Sequence, residues 1–313
     1  MKSRPLATVV AVSTLLFPVF APAARAVETP PLLDAADIGR LHRPVTTKSP
    51  QAQRYFDQGL ALLYSFDHDN AIRSFQEAAR LDPACAMAWW GVAVACGPHI
   101  NFPMVPPARA TLAWEALEQA RRQAAAGTPL EQALIAAQRT RFADPHPSDR
   151  KPLDEAYAAA MRRLWERHPG DADVGVLFAE AMMNLRPWDL WQADGSPQSG
   201  TAEIVATLAA VRKLAPEHPQ AMHLTIHTLE ASPSPAGALA AADRLRFRQP
   251  GLGHMVHMPS HIDALLGQWE EAIAANDRAV KADKVTREKF GEPRGLLWLY
   301  MGHNRHMLAF AAM

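Results

Sequence analysis

The sequence predicts an all-α protein built from repeated helix–turn–helix units. From about residue 50 onward, apolar residues recur with helical spacing, and no stretch shows the sustained alternation that is typical of a β-strand. Gly59 would let two helices approach closely, with Phe75 filling the space between them. Pro250 follows Pro216 by 34 residues, and each proline precedes a helical segment. These observations together predict a solenoid of stacked helix pairs over residues 50–313.

Residues 1–26 have a different character. Lys2 and Arg4 precede an apolar stretch that runs from residue 6 to 20, and Ala24-Arg25-Ala26 then gives the small-x-small pattern of a signal-peptidase site. This order of features predicts a cleaved secretory signal peptide. The apolar stretch is shorter than the roughly 20 residues of a membrane-spanning helix, and no later stretch is long and apolar enough to span. We therefore expect a periplasmic or secreted chain with no membrane span after cleavage.

Residues 27–49 are rich in proline and threonine and predict an extended lead-in. The first helix pair then follows, and Pro83 ends its second helix because proline lacks an N–H and disfavours helix in the residue before it. Insertions are expected near 97–107 and 186–199. Further helices are expected at 129–142, 150–167, 173–185, 201–214, 222–229, 256–266 and 294–313.

This pattern resembles the tetratricopeptide repeat, a 34-residue helix–turn–helix unit. The stretches CAMAWWGVAVACGPHIN, LRPWDLW, HMPSHI and HNRHM also resemble a group of secreted bacterial repeat proteins. Since no established activity is known for that group, the resemblance implies a fold and no function. Members of the group continue beyond the HN-x-H motif, whereas this chain stops at Met313, so a shortened form of a longer protein is one expectation.

Histidines recur in register with the repeat. Aligning the units on their prolines places His223 on His257 and His227 on His261. His254 lies one helical turn before His257, so each set forms one stripe on a helix. In the tetratricopeptide frame these positions line the concave groove, and so does Glu230. A later helix repeats the spacing with two more histidines, which completes the predicted metal-ligand set of His223, His227, His254, His257, His261, His303 and His306.

Clustered imidazoles suit a transition metal, and copper, zinc and iron all remain candidates. Three histidines from separate helices would suit one ion of a paired copper site, whereas mixed histidine and carboxylate would suit iron, manganese or zinc. An open coordination position would activate oxygen or water, as in an oxidoreductase or a hydrolase. Glu180 and Glu230 are the predicted catalytic carboxylates, each as a ligand or general base.

A second hypothesis belongs to another class of function. Tetratricopeptide arrays commonly bind an extended peptide or a partner protein in the concave groove, without metal or catalysis. Trp188 and Trp191, on the inserted loop, could cover such a groove as a lid. The chain carries 32 basic and 32 acidic residues, and this balance argues against a nucleic-acid partner.

Two further residue types complete the sequence predictions. Pro259 falls inside the histidine-bearing helix and should bend it, either re-aiming the histidines or fitting the curvature of the solenoid. Cys85 and Cys96 would lie roughly 16 Å apart on one helix, too far for a disulfide, and are expected to be buried and free.

Overall fold

The computed structural model describes residues 29–313, which form α-helices joined by turns and loops, with isolated bridges but no β-strand in that part of the chain. The predicted signal peptide lies outside these residues. The helices, numbered in chain order, are α1 (Ala35–Ile38), α2 (Pro50–Tyr64), α3 (His68–Leu81), α4 (Ala86–Ala95), α5 (Pro107–Gln123), α6 (Pro129–Arg139), α7 (Lys151–Arg167), α8 (Ala172–Met183), α9 (Thr201–Leu214), α10 (Pro219–Leu229), α11 (Leu239–Leu245), α12 (Gly253–His257), α13 (Pro259–Leu265), α14 (Trp269–Phe290) and α15 (Leu297–Ala312).

Helix starts follow from local sequence. Ser49 and Asp67 cap α2 and α3, each accepting a hydrogen bond from a backbone N–H of the first turn. Thr128 and Glu131 form a capping box at the start of α6, and proline occupies the first turn of several helices. Caps of this kind satisfy backbone donors that the helix itself leaves free.

Consecutive helices pack against each other along the chain. α2 packs on α3, α3 on α4, α7 on α8, α8 on α9, and α14 on α15. A side-chain carbon on Gly59 or Gly91 would collide with the Phe75 ring, so both glycines are needed for the close approach of α2 and α4 to α3. The packing predicted around Phe75 is confirmed.

Pro259 divides the segment that the sequence predicted as one helix over 256–266. α12 ends at His257 and α13 begins at Pro259. The interruption arises because proline removes one backbone donor and its ring crowds the preceding turn. The predicted disturbance of the helix is therefore confirmed, and it takes the form of two short helices.

The lead-in over 29–49 contains α1 and otherwise lacks regular structure. It runs across the molecule: the Tyr55 hydroxyl donates to the Pro30 carbonyl, Arg43 pairs with Asp171 and Asp173, and Gly251 N–H donates to the Asp37 carbonyl. This segment thus joins helices that are far apart in sequence.

Cys85 and Cys96 flank α4, and both are buried and free, as the sequence predicted. Within residues 29–313, no helix combines the length and apolar character that crossing a bilayer requires.

Candidate metal centre

Three histidines from two helices form a first cluster, the first triad: His223, His227 and His254. α10 carries His223 and His227 one turn apart, and α12 supplies His254 from the neighbouring unit. All three are buried, and a ligand nitrogen of each lies within 4.8 Å of those of the other two. This triad could hold one metal ion.

A second cluster adjoins it and is called the second triad: His257, His261 and His303. His257 ends α12, His261 lies on α13 beyond the Pro259 interruption, and His303 comes from α15. Their ligand nitrogens also lie within 4.8 Å of one another. The ring centroids of His254 and His257 are 6.0 Å apart, so two ions in the two triads would be close neighbours.

A buried contact fixes the helix that supplies His303. The Asn304 amide donates to the Asp283 carboxylate on α14 over 2.9 Å. Burial raises the pKa of Asp283 to about 6, although Asn304 opposes the shift. Because Asn304 follows His303 directly, this contact docks α15 in the register that presents His303 to the second triad.

In the second triad, neighbouring residues determine which ring nitrogen of His257 and of His261 donates a hydrogen bond. His257 Nδ1 lies 2.7 Å from the Asn276 side-chain oxygen, and the Asn276 amide nitrogen donates to the Ala272 carbonyl, which fixes the amide orientation. His261 Nδ1 lies 2.6 Å from a Glu230 oxygen. Both histidines therefore carry their proton on Nδ1. Their Nε2 atoms face each other at 2.8 Å, so one of the two must carry a second proton unless a metal ion binds there.

In the first triad, the position of the ring proton is determined for His223 and His227 but not for His254. His223 Nδ1 donates to the Tyr64 carbonyl oxygen over 2.8 Å, and His227 Nδ1 donates to Glu230 over 2.7 Å. His227 Nε2 is buried without a partner among residues 29–313. His254 Nε2 lies 3.1 Å from His223 Nε2, while its Nδ1 has no partner in the same range. His254 alone keeps a free choice of tautomer.

Glu230 links the two triads. One carboxylate oxygen accepts from His227 in the first triad, and the other accepts from His261 in the second. Burial opposes ionisation, but the imidazoles of His261 and His227 hold the pKa of Glu230 well below its usual range. The carboxylate thus orients one imidazole of each triad with Nε2 toward the metal position, the arrangement usual around metal-binding histidines.

Burial also governs the charge of the imidazoles. It lowers the pKa of His223, His254 and His257 well below the ordinary value, and neighbouring histidines add to the effect. It lowers the pKa of His303 to about 4. Neutral imidazole is the form that binds a metal ion.

Two predicted residues lie apart from the triads. His306 is exposed on α15, with its ring centroid 6.4 Å from that of His303, and belongs to neither cluster. Burial raises the pKa of Glu180, although Arg141 and a hydrogen bond from Gln220 oppose this shift. Within residues 29–313, no hydrogen bond joins Glu180 to a triad histidine, and Glu180 belongs to neither metal-ligand cluster.

Phe66, which lies at the base of the first triad, was not predicted from the sequence. Its ring centroid is 4.6 Å from that of His223 and 5.4 Å from that of His254. Phe66 is buried in the turn between α2 and α3 and has a φ of 60°, a conformation that a bulky residue rarely adopts. The only sequence feature that could have indicated Phe66 is its position as an aromatic residue directly before Asp67 and His68.

The inserted loop over 186–199 packs against the first triad. The Trp191 indole N–H donates to the Thr228 carbonyl over 2.7 Å, beside His227. The half-exposed Trp188 ring meets the His227 ring edge-on, with centroids 5.2 Å apart. Both tryptophans of the predicted lid therefore lie next to the histidine cluster.

The chain matches none of the protein families with which it was compared, and no curated protein sequence is significantly similar to it. Its candidate site is therefore interpreted from its own geometry.

Proposed function

We propose that this chain is a secreted or periplasmic metalloprotein that holds two neighbouring transition-metal ions, one in each histidine triad. The scaffold belongs to the same proposal: a tetratricopeptide-like solenoid, supported by the 34-residue interval between Pro216 and Pro250 and by the packing of consecutive helices. The N-terminal signal pattern supports the location.

One observation carries the proposal: in the second triad two Nε2 atoms face each other, although each ring already donates a proton from Nδ1. His257 and His261 are each committed to donating from Nδ1, yet their Nε2 atoms are 2.8 Å apart. Two unprotonated nitrogens at this distance repel each other unless a cation lies between them. That cation is either an extra proton or a metal ion. Burial disfavours a proton on His257, and His303 supplies a third imidazole nitrogen within 4.8 Å of the other two, which a metal ion would use and a proton would not.

The dimensions support a first-row metal ion. Nitrogen ligands about 2.0–2.1 Å from a tetrahedral ion lie roughly 3.4 Å apart. The close pairs in the two triads, at 2.8 Å and 3.1 Å, need only a small spreading to reach this separation.

The ligand atoms limit the choice of metal. Each triad offers imidazole nitrogen only, because both Glu230 oxygens are occupied by imidazole N–H groups. An all-imidazole set favours copper or zinc over iron, which would be better served by an added carboxylate ligand.

Three protein ligands leave a fourth position open, the arrangement that distinguishes catalytic from structural metal sites. A copper pair would supply oxygen chemistry there, and zinc would supply an activated water. Glu230 serves in this proposal to hold the imidazoles in place, and the loop carrying Trp188 and Trp191 shields the first triad from solvent.

The alternative function, peptide binding without metal, receives less support from the site. A peptide groove needs polar side chains spread along an open face. His223 and His257 are instead fully buried and converge on their neighbours. Peptide binding is the outcome that remains if the chain proves unable to bind metal.

The direct test is the metal content of the full chain secreted into a bacterial periplasm. Elemental analysis should find about two ions of copper or zinc per chain, because each triad offers the three ligands of one site. The double variant His223→Ala/His257→Ala removes one ligand from each triad and should lose both ions.

The matched control is His306→Ala, a histidine of the same helix as His303 that lies outside both triads. It should keep the wild-type metal content, and circular dichroism should show all three proteins equally helical. A wild-type chain that takes up no copper, zinc or iron even after reconstitution would overturn the proposal and leave a peptide-binding scaffold as the better account.

A further inference from the structure

A cavity lies beside the first triad and is separated from it by Phe66. Its volume is about 250 Å³. The turn after α2, the loop after α4 and the start of α15 form its walls, which we call the His68–His99 pocket. The lining includes Phe66, His68, Cys96, His99, Phe102, Met104 and Leu297.

The walls of this pocket are mostly aromatic or aliphatic. The His68 and His99 rings are stacked with centroids 4.1 Å apart and an interplanar angle of 13°. The Phe66 ring centroid lies 4.9 Å from that of His99 on the pocket side and 4.6 Å from that of His223 on the triad side. A ligand on the pocket face of Phe66 would therefore be separated from the first triad by one aromatic ring.

The charged residues of the lining differ in their partners. Asp69 pairs with Arg109 over 2.6 Å, and Asp67 accepts hydrogen bonds from Asn70. Arg294 is exposed at the rim. Asp67 is buried without an ion-pair partner in residues 29–313, so it would repel an anion, and the mostly apolar walls disfavour burying any charged ligand. The interior therefore favours an uncharged molecule.

The stacked imidazoles add hydrogen-bonding capacity without charge. Burial lowers the pKa of His68 to about 4 and holds that of His99 well below its ordinary value, so both are neutral at pH 7. His68 Nδ1 donates to the Phe66 carbonyl over 3.0 Å, which leaves Nε2 as an acceptor. His99 is buried, and its Nδ1 lacks a partner among residues 29–313. A ligand that donates one hydrogen bond suits this lining.

We propose that the His68–His99 pocket binds a small, uncharged aromatic molecule that carries one hydrogen-bond donor, such as a ring hydroxyl. The size fits, since an apolar cavity of about 150 Å³ accommodates benzene and this pocket is larger by the space of a substituent. Binding is independent of the metal centre, because none of the six triad histidines lines the pocket.

The test uses p-cresol as the probe and toluene as its partner without the hydroxyl. Binding is measured by ligand-observed NMR titration on the full chain, both as isolated and after removal of metal by chelation. p-Cresol should bind about 3- to 10-fold more tightly than toluene, the range that one hydrogen bond supplies. The two preparations should give the same dissociation constants, so the pocket can stand even if the metal proposal fails.

Two tryptophan substitutions on α15 form a matched pair. Leu297→Trp fills the pocket and should weaken both probes at least about tenfold. Leu299→Trp makes the same change at an exposed position outside the lining and should have no effect. His68→Phe keeps a ring but removes the acceptor, and should reduce p-cresol to the affinity of toluene.

Three results would overturn the inference. They are the absence of saturable binding by either probe, equal binding of both probes to the wild type, and unchanged p-cresol binding by Leu297→Trp in a chain of wild-type helicity.

Discussion

The two histidine triads differ in how their ring protons are assigned. In the second triad, Asn276 and Glu230 each accept a hydrogen bond from an Nδ1 atom, and the two Nε2 atoms lie 2.8 Å apart. In the first triad, His254 retains a free tautomer and can donate its Nε2 proton to His223 across 3.1 Å. The close nitrogen pair of the first triad is thus satisfied without a cation, whereas that of the second requires an extra proton or a metal ion.

The more deeply buried triad is the one that needs a cation less. The first triad is fully buried, and the second includes two half-buried histidines. The second triad, although more open, therefore has the stronger need for a metal ion. We expect it to fill first, because a metal ion there joins two nitrogens that otherwise share an extra proton, whereas binding in the first triad must displace a hydrogen bond between neutral rings.

The largest effect should come from deleting each triad separately. His257→Ala/His261→Ala should abolish the tighter of two metal-binding phases, because it removes two of three ligands from the second triad. His223→Ala/His254→Ala should abolish only the weaker phase. Calorimetric titration of metal-free protein with zinc or copper measures both, and the reverse assignment would contradict the order of filling.

Glu230→Gln should weaken both phases. The neutral amide can accept from one imidazole only and presents an N–H to the other, so one histidine of the linked pair loses its support. Loss of such a partner typically reduces metal affinity about 10- to 100-fold. The control is Glu180→Gln, since Glu180 makes no hydrogen bond to the triads and its substitution should leave both phases intact. A selective effect of Glu230→Gln on one phase would show that the carboxylate does not couple the triads.

Asn276→Leu should affect the second triad alone. It removes the acceptor of the His257 Nδ1 proton while keeping a similar volume, so we expect about tenfold weaker binding in the tighter phase. The buried Nδ1 proton would also lose its partner, at a cost of about 1–3 kcal/mol in the stability of metal-free protein. Chemical denaturation measures this loss, and the weaker metal phase serves as the internal reference.

Asp283→Asn tests the docking of α15 and should have the smallest effect on metal. Burial raises the pKa of Asp283 from 3.8 to about 6, so the protonated carboxyl favours the folded state. Its stabilising contribution is fully present below pH 3.8 and is lost as the pH rises through about 6. The variant should therefore equal the wild type at pH 4 and exceed it by about 1–3 kcal/mol at pH 7.5. Parallel stability curves at the two pH values would refute the assignment.

Local patterns in the sequence were sufficient for much of the helical structure. The segment 201–214 was predicted with the bounds that α9 has, because helical periodicity and capping residues act over a few neighbouring positions. The same reasoning found the i, i+4 pair His223 and His227 and predicted a bend at Pro259, where the structure has two short helices.

The sequence by itself therefore determined most of the helices and the pairing of His223 with His227 on one of them, since both depend on spacing along one chain. Only the tertiary structure decided that His254 and His257, three residues apart, enter different triads, and that Glu230 spans both. It also decided that Tyr64, in the first helix pair, supplies the acceptor for His223. The physical reason is that an imidazole's role depends on the atom that meets its second nitrogen, and helices distant in sequence provide that atom.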